Sequence, residues 1–153
     1  FYYQNIIGNL APQPQPDGSK LWTLPVNPDA RCLHIGDIGD LGKVVAGAFE
    51  HPEGVDQGQI LSIAAALVSF NDIISTLRAQ GHQVAFQQVP GEVFAKFFPG
   101  AEEMAAMCHY WEKHTYMGPQ AESKIALARK VATGPFVTLA DWAKTAMPVA
   151  GKA

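Results

Sequence analysis

Residues 1–10, FYYQNIIGNL, decide how the rest of the chain is read. Phe1, Tyr2, Tyr3, Ile6, Ile7 and Leu10 give this stretch an apolar content too high for a frayed, solvated terminus. Gln4 and Asn5 add amide groups able to reach a ligand. The pattern predicts a strand-to-helix passage from inside a larger fold, whose first half would precede Phe1.

Outward from this stretch, strand and helix patterns alternate. Pro12, Pro14 and Pro16 make a stiff connection that ends in a turn at Asp17 and Gly18. Residues 20–24 (KLWTL) predict a short strand stopped by Pro25, and residues 31–35 (RCLHI) a second one. Leu41, Val44, Val45, Ala48 and Phe49 recur at helical spacing, which predicts one buried stripe. Asp37 is placed as its N-cap and Asp40 falls in the first turn, where the helix dipole favours a negative charge. Gly42 and Gly47 each cost helix propensity, so both predict close backbone packing.

Residues 58–64 (GQILSIA) predict a buried strand. Ser69 and Asp72 open a helix that buries Phe70, Ile73, Ile74 and Leu77, and Gly81 stops it. Residues 83–89 alternate as a half-exposed strand. A short helix carries Val93, Phe94, Phe97 and Phe98. After Pro99 and Gly100 a longer helix aligns Ala101, Met104, Ala105, Cys108, Trp111 and Thr115. Residues 122–132 read as helix with a blurred stripe, and Thr138 with Asp141 caps a last one. The fold class is α/β with some parallel pairing. Residues 1–148 form the structured portion and 149–153 a tail expected to fray. The strand candidates do not fit one covered sheet, so some are expected to pair with strands that precede Phe1.

Composition narrows the function classes. The 153 residues carry 48% hydrophobic and 16% charged side chains, which fits one globular domain with a core. Eleven basic residues against fourteen acidic ones, without a basic stripe, argue against direct nucleic-acid binding. No apolar run approaches the ~20 residues that span a bilayer, and no secretory leader pattern opens the chain. Cys32 and Cys108 read as buried thiols, and the expected location is cytoplasmic.

Candidate chemistry is sparse. His109 and His114 stand five apart, off the i, i+4 spacing that brings two ligands to one helix face, so no metal is expected. His34 reads as a core histidine or a ligand-facing one. Ser62 and Ser69 lack the strained elbow of a serine nucleophile. The glycines around Asp37 and Asp40 form a helix start, where the aspartates would repel a pyrophosphate. Phe94, Phe97, Phe98, Met104, Met107 and Trp111 read as core or as the lining of a cavity for a flat ligand.

Three blocks in order, FYYQN at residues 1–5, HIGDIGDLGKVVAGAFEHPE at 34–53 and FFPGAEEMAAMCHYW at 97–111, resemble the NmrA-like family of atypical short-chain dehydrogenase/reductases. The turn from Pro12 to Gly18 adds to the likeness, which runs to about Trp142. The resemblance implies an NAD(P)(H)-binding Rossmann domain followed by a smaller α/β lobe. It implies NADP as cofactor, with NAD possible, and places the phosphate-binding fingerprint and any catalytic Tyr–Lys pair ahead of Phe1. This chain would then be the C-terminal portion, with the N-terminal Rossmann half missing. Tyr2, Tyr3, Gln4 and Asn5 would lie at the rim of the cofactor site, or serve packing alone; no catalytic residue is assigned. The intact protein would be an NADPH sensor or regulator with a protein partner, or an oxidoreductase acting on quinone-like or carbonyl substrates.

Overall fold

A computed structural model describes residues 1–55 and 58–149. Most of the tail expected to fray, from residue 150 onward, lies outside the described residues.

The chain enters beside a strand it meets only thirty residues later. Residues 1–3 run parallel to it, and Tyr3–Ile6 then close into a 3-10 turn. The edge strand β1 (Gln13–Pro14) and β2 (Lys20–Leu24) form an antiparallel hairpin. Its turn is fixed by Asp17, whose Oδ1 accepts from the Ser19 amide at 2.9 Å and hydroxyl at 2.7 Å. Pro14 is tolerated because β1 is an outer strand with no ladder partner on its far side.

The strand β3 (Leu33–Ile35) is fully buried and leads into α1 (Asp40–Glu50). Then β4 (Ala66–Val68) returns antiparallel to β3. The helix α2 (Phe70–Ala79) follows directly, and β5 (Val84–Gln88) pairs parallel with β2, Trp22 opposite Phe86. Four helices complete the chain: α3 (Gly91–Phe94), α4 (Ala101–His114), α5 (Ala121–Val131) and α6 (Leu139–Ala146). The strands thus divide between a β1-β2-β5 sheet and a β3-β4 pair extended by residues 1–3.

Where local rules are strong the elements follow them. Ser69 Oγ accepts from the Asp72 amide at 3.1 Å and Asp72 Oδ2 from the Ser69 amide at 2.9 Å, a reciprocal cap. All four apolar residues predicted for α2 are buried. Thr138 caps α6 on one side only, its Oγ1 accepting from the Asp141 amide at 3.1 Å and its hydroxyl donating to Asp141 Oδ2 at 2.7 Å. The main core joins Phe1, Tyr3 and Ile6 to Trp22, Leu33, Phe70, Leu77, Trp111 and Trp142.

Four expectations are corrected. Residues 58–64 form no strand: Ile63 and Ala64 are buried, but Arg129 Nη2 donates to the carbonyls of Ala64 at 3.1 Å and Ala65 at 2.8 Å. Residues 58–60 are exposed and only the end of the run is buried, where a side chain satisfies the backbone, so the strand begins at Ala66. Helix α1 begins at Asp40, with Gly39 in the cap position; Asp37 Oδ1 accepts from the Gly39 amide at 3.1 Å instead. Its predicted stripe is also split. Val44 and Gly47 face α5, whereas Leu41, Val45 and Phe49 are exposed. Close packing holds at Gly47 alone, since a Cβ there would lie 1.8 Å from the Val131 carbonyl oxygen, while at Gly42 nothing lies within 4 Å.

Candidate functional site at the ends of the parallel strands

Two parallel strands finish side by side. Phe1 N donates to the His34 carbonyl at 2.7 Å, Gly36 N to Phe1 at 3.2 Å and Tyr3 N to Gly36 at 2.9 Å. Beyond this ladder the two chains turn away, one into the 3-10 turn and the other into the approach to α1. Ligands of parallel α/β sheets bind outside the carboxyl ends of the strands. The residues at this end are Tyr2 to Asn5 on one strand and Asp37 to Asp40 on the other.

Gln4 ties the two ends together. Its Nε2 donates to Asp37 Oδ1 at 2.6 Å and its Oε1 accepts from the Ile38 amide at 3.2 Å. With the Gly39 amide also on Asp37 Oδ1, this carboxylate is held by two donors and has a fixed direction.

Tyr3 points inward. It is 1% exposed, its hydroxyl donates to the Val137 carbonyl at 3.1 Å, and its ring lies 5.5 Å from that of Trp142. Burial, with smaller contributions from Asp40 and Asp37, raises its phenol far above the ordinary tyrosine range. It therefore stays a neutral donor at any physiological pH, unlike a tyrosine poised to exchange a proton. Tyr2 is 36% exposed, and Asn5 is half-buried. Among the described residues neither the Tyr2 phenol nor the Asn5 carboxamide has a hydrogen-bond partner.

Asp40 is the residue whose role the sequence pattern hides. It is fully buried, its Oδ1 pairs with Lys43 Nζ at 2.7 Å, and its Oδ2 accepts from the Val137 amide at 2.9 Å. Lys43 Nζ reaches on to the Pro135 carbonyl at 2.7 Å. Asp40 lies in the first turn as expected, but its carboxylate also pins Val137 beneath α1, whose carbonyl holds Tyr3, while Lys43 ties down Pro135. A clue was present in its position three residues before Lys43, but nothing local announces a partner 97 residues away.

The other candidates are placed as follows. His34 is 2% exposed, with Nε2 3.3 Å from Glu122 Oε1 and Nδ1 unpartnered. The His114 ring packs against Tyr110 with centroids 4.8 Å apart. No group of three or more His, Cys, Asp or Glu among the described residues is arranged to hold a metal. Cys32 and Cys108 are buried free thiols; desolvation pushes them up to about 11 and about 12. They are poor nucleophiles. No helix among the described residues is long and apolar enough to cross a membrane.

A model of the NmrA-like family matches residues 1–143. The chain belongs to the NmrA-like family. Solved structures of Nmra, described as a negative transcriptional regulator, share this fold. The complex with NADP superimposes with a TM-score of 0.72 at 20% identity, over 97% of this chain and 50% of that one. The complex with NAD gives 0.71 at 20% identity over the same shares. The monoclinic form gives 0.64 at 21% identity, over 88% of this chain and 45% of that one. At such identities the likeness speaks for the fold, an NmrA-type Rossmann-like arrangement. This NmrA-like chain spans about half the length of the structures it matches.

Proposed function

We propose that this chain supplies the nicotinamide-end rim of an NAD(P)(H) site in an intact NmrA-like protein that works as a redox-state sensor or regulator. The observation that carries the proposal is the junction of the two parallel strands, where Gln4 locks Asp37 and the Tyr2 phenol and Asn5 carboxamide have no hydrogen-bond partner among the described residues. Tyr2 offers an aromatic face to a nicotinamide ring and Asn5 offers a donor and an acceptor to its carboxamide. Tyr3 and Gln4 act from behind: they fix the segment that presents the other two. Family membership and the NAD and NADP complexes of Nmra support a nicotinamide dinucleotide as the cofactor. NADP is the preferred form in this proposal.

The sensor is the first reading because Tyr3, Asp37 and Asp40 at the described strand ends are each committed to structural hydrogen bonds. Tyr3 donates to a carbonyl and its phenol is pushed up by burial, while Asp37 and Asp40 are each held by two donors. A protein partner and a cytoplasmic location belong to the same proposal. A reductase of quinone-like or carbonyl compounds is the second possibility. It requires a Tyr-x-x-x-Lys pair in the part of the fold this chain does not cover.

The test is calorimetric titration of NADPH. The 153-residue chain is expected to bind weakly or not at all, because it spans only about half the length of the Nmra structures complexed with NAD and NADP. Micromolar affinity of the chain alone would overturn the shared-site proposal. In the intact protein, Asn5→Ala is expected to weaken NADPH about tenfold, the scale of one or two lost hydrogen bonds. Steady NADPH oxidation with quinone or carbonyl acceptors would replace the sensor by the reductase.

A further inference from the structure

A second concave site lies away from the strand ends. Residues 9–13, β2, α3 and the start of α4 enclose a cleft of about 600 Å³. Its apolar lining comes chiefly from Leu10, Trp22, Phe94, Phe97, Phe98 and Met104. Asn9, Gln13 and Thr23 are the polar side chains that line it, and no Asp, Glu, Lys, Arg or His does.

Core packing accounts for only part of this group. Phe94 is 3% exposed and belongs to the core, but Phe97 and Phe98 are 50% and 44% exposed. Both rings lean on Phe94, at centroid distances of 5.3 and 5.8 Å. They follow the end of α3, in a turn that reverses at Gly100 with φ +88°. Two large aromatic side chains are thus fixed at a cleft without being covered by it. The opposite wall is also fixed, since Trp22 Nε1 donates to the Leu10 carbonyl at 2.7 Å. Among the described residues the Asn9 carboxamide and the Thr23 hydroxyl have no partner.

We propose that this cleft binds a neutral, planar aromatic small molecule that carries a hydrogen-bonding group for Asn9 or Thr23. The volume falls within the usual range for small-molecule sites, and aromatic walls with a few polar groups are their usual lining. The missing charge excludes a phosphate-bearing ligand, so the cleft is separate in chemistry from the dinucleotide site and does not rest on that proposal. Phe97 and Phe98 supply ring faces for offset or edge-to-face stacking.

The probe is N-phenyl-1-naphthylamine, a neutral fluorescent aromatic amine, titrated into the 153-residue chain with and without NADPH. Saturable one-to-one binding is expected. Phe98→Glu and Phe97→Lys should each weaken it by at least about tenfold, because a charge would be desolvated against the ring. Both positions are exposed, so circular dichroism should report an unchanged fold. Phe49→Glu, at an exposed phenylalanine on α1, should leave the affinity unchanged. Non-saturable binding, equal sensitivity to Phe49→Glu, or indifference to both cleft variants overturns the proposal. So does sedimentation showing that the cleft variants dissociate a self-associated form that never bound the probe. NADPH failing to bind the 153-residue chain is the result the dinucleotide proposal expects, so loss of probe binding there would reject only this proposal, whereas micromolar NADPH affinity with probe binding retained would reject only the dinucleotide one.

Discussion

Replacing Gly47 by alanine sets two effects of opposite sign against each other. In an exposed helix interior the change would stabilise by about 1 kcal/mol. At Gly47 the new Cβ would lie 1.8 Å from the Val131 carbonyl oxygen and 2.8 Å from its carbon. Both atoms are backbone and cannot swing aside. Restoring the ordinary 3.4 Å contact requires α1 to move away from α5. That movement opens the small cluster in which Val44 and Ala128 are buried, and stretches the 3.1 Å bond from Thr133 N to the Lys43 carbonyl. Overpacking of this kind costs about 1–3 kcal/mol, and a weakened hydrogen bond adds about 1 kcal/mol. The net expectation is destabilisation by about 2 kcal/mol, a fall in melting temperature of roughly 4–8 °C for a chain of this size. Gly42→Ala is the internal control. It lies in the same helix with nothing within 4 Å of the added atom, so it should raise the melting temperature by about 2–4 °C. Thermal unfolding followed at 222 nm measures both. A Gly47→Ala protein as stable as the parent, or two variants shifting in the same direction, would refute the α1–α5 contact as the reason for glycine.

Asp40→Ala removes the partner of Lys43 and the Val137 amide from a fully buried position, and urea denaturation should show a loss of about 3 kcal/mol. Ser69→Ala deletes the reciprocal cap of α2 and should cost about 1 kcal/mol by the same assay. Cys32 and Cys108, raised by desolvation from an ordinary 9 to about 11 and about 12, should resist Ellman's reagent at pH 8 until the chain unfolds; labelling of the native protein at the free-thiol rate would contradict their burial. The same thiols make stability fall with rising pH. Above about pH 9 the unfolded chain releases their protons while the folded one keeps them until about 11 to 12, a loss that a pH series of melts should register.

Much of the fold was legible because local chemistry and tertiary packing agree. At α2 the cap and four apolar positions stand at fixed offsets, and every one of them is used as read. The β1–β2 turn follows from Asp17 and Gly18 in the same way. Legibility fails where a distant group does the work of a local one. The apolar run at 58–64 reads as a strand, but its first three residues are exposed and at its buried end Arg129, from another helix, takes the carbonyls of Ala64 and Ala65. On α1 two apolar stripes compete, and periodicity cannot tell which one faces α5. The decision falls to Gly47, whose missing side chain lets the backbones touch. The exposed remainder, Leu41, Val45 and Phe49, carries the same sequence signal as a core stripe.

The strand ends divide by a similar logic. Residues 2–5 read as one block of four ligand-facing candidates, because aromatic and amide side chains are equally suited to a ligand and to a core. Side chains in a strand alternate between faces, so neighbours such as Tyr2 and Tyr3 cannot share one environment. The parallel ladder to Gly36 fixes the phase: Phe1 and Tyr3 enter the core, and Tyr2 is left outside. The 3-10 turn then breaks the alternation at Gln4, whose amide meets Asp37 and the Ile38 N–H. The Asn5 carboxamide follows with no hydrogen-bond partner among the described residues. Two of the four residues are therefore committed to holding the strand ends in register, and in the proposed function binding is assigned to the other two. Changing Gln4 should accordingly disturb a ligand through the position of Asp37, whereas changing Asn5 should remove a contact and leave the frame intact. Comparing the melting temperatures of Gln4→Ala and Asn5→Ala separates these roles: the first should fall by several degrees and the second should not, and an equal fall would mean that Asn5 is also part of the frame.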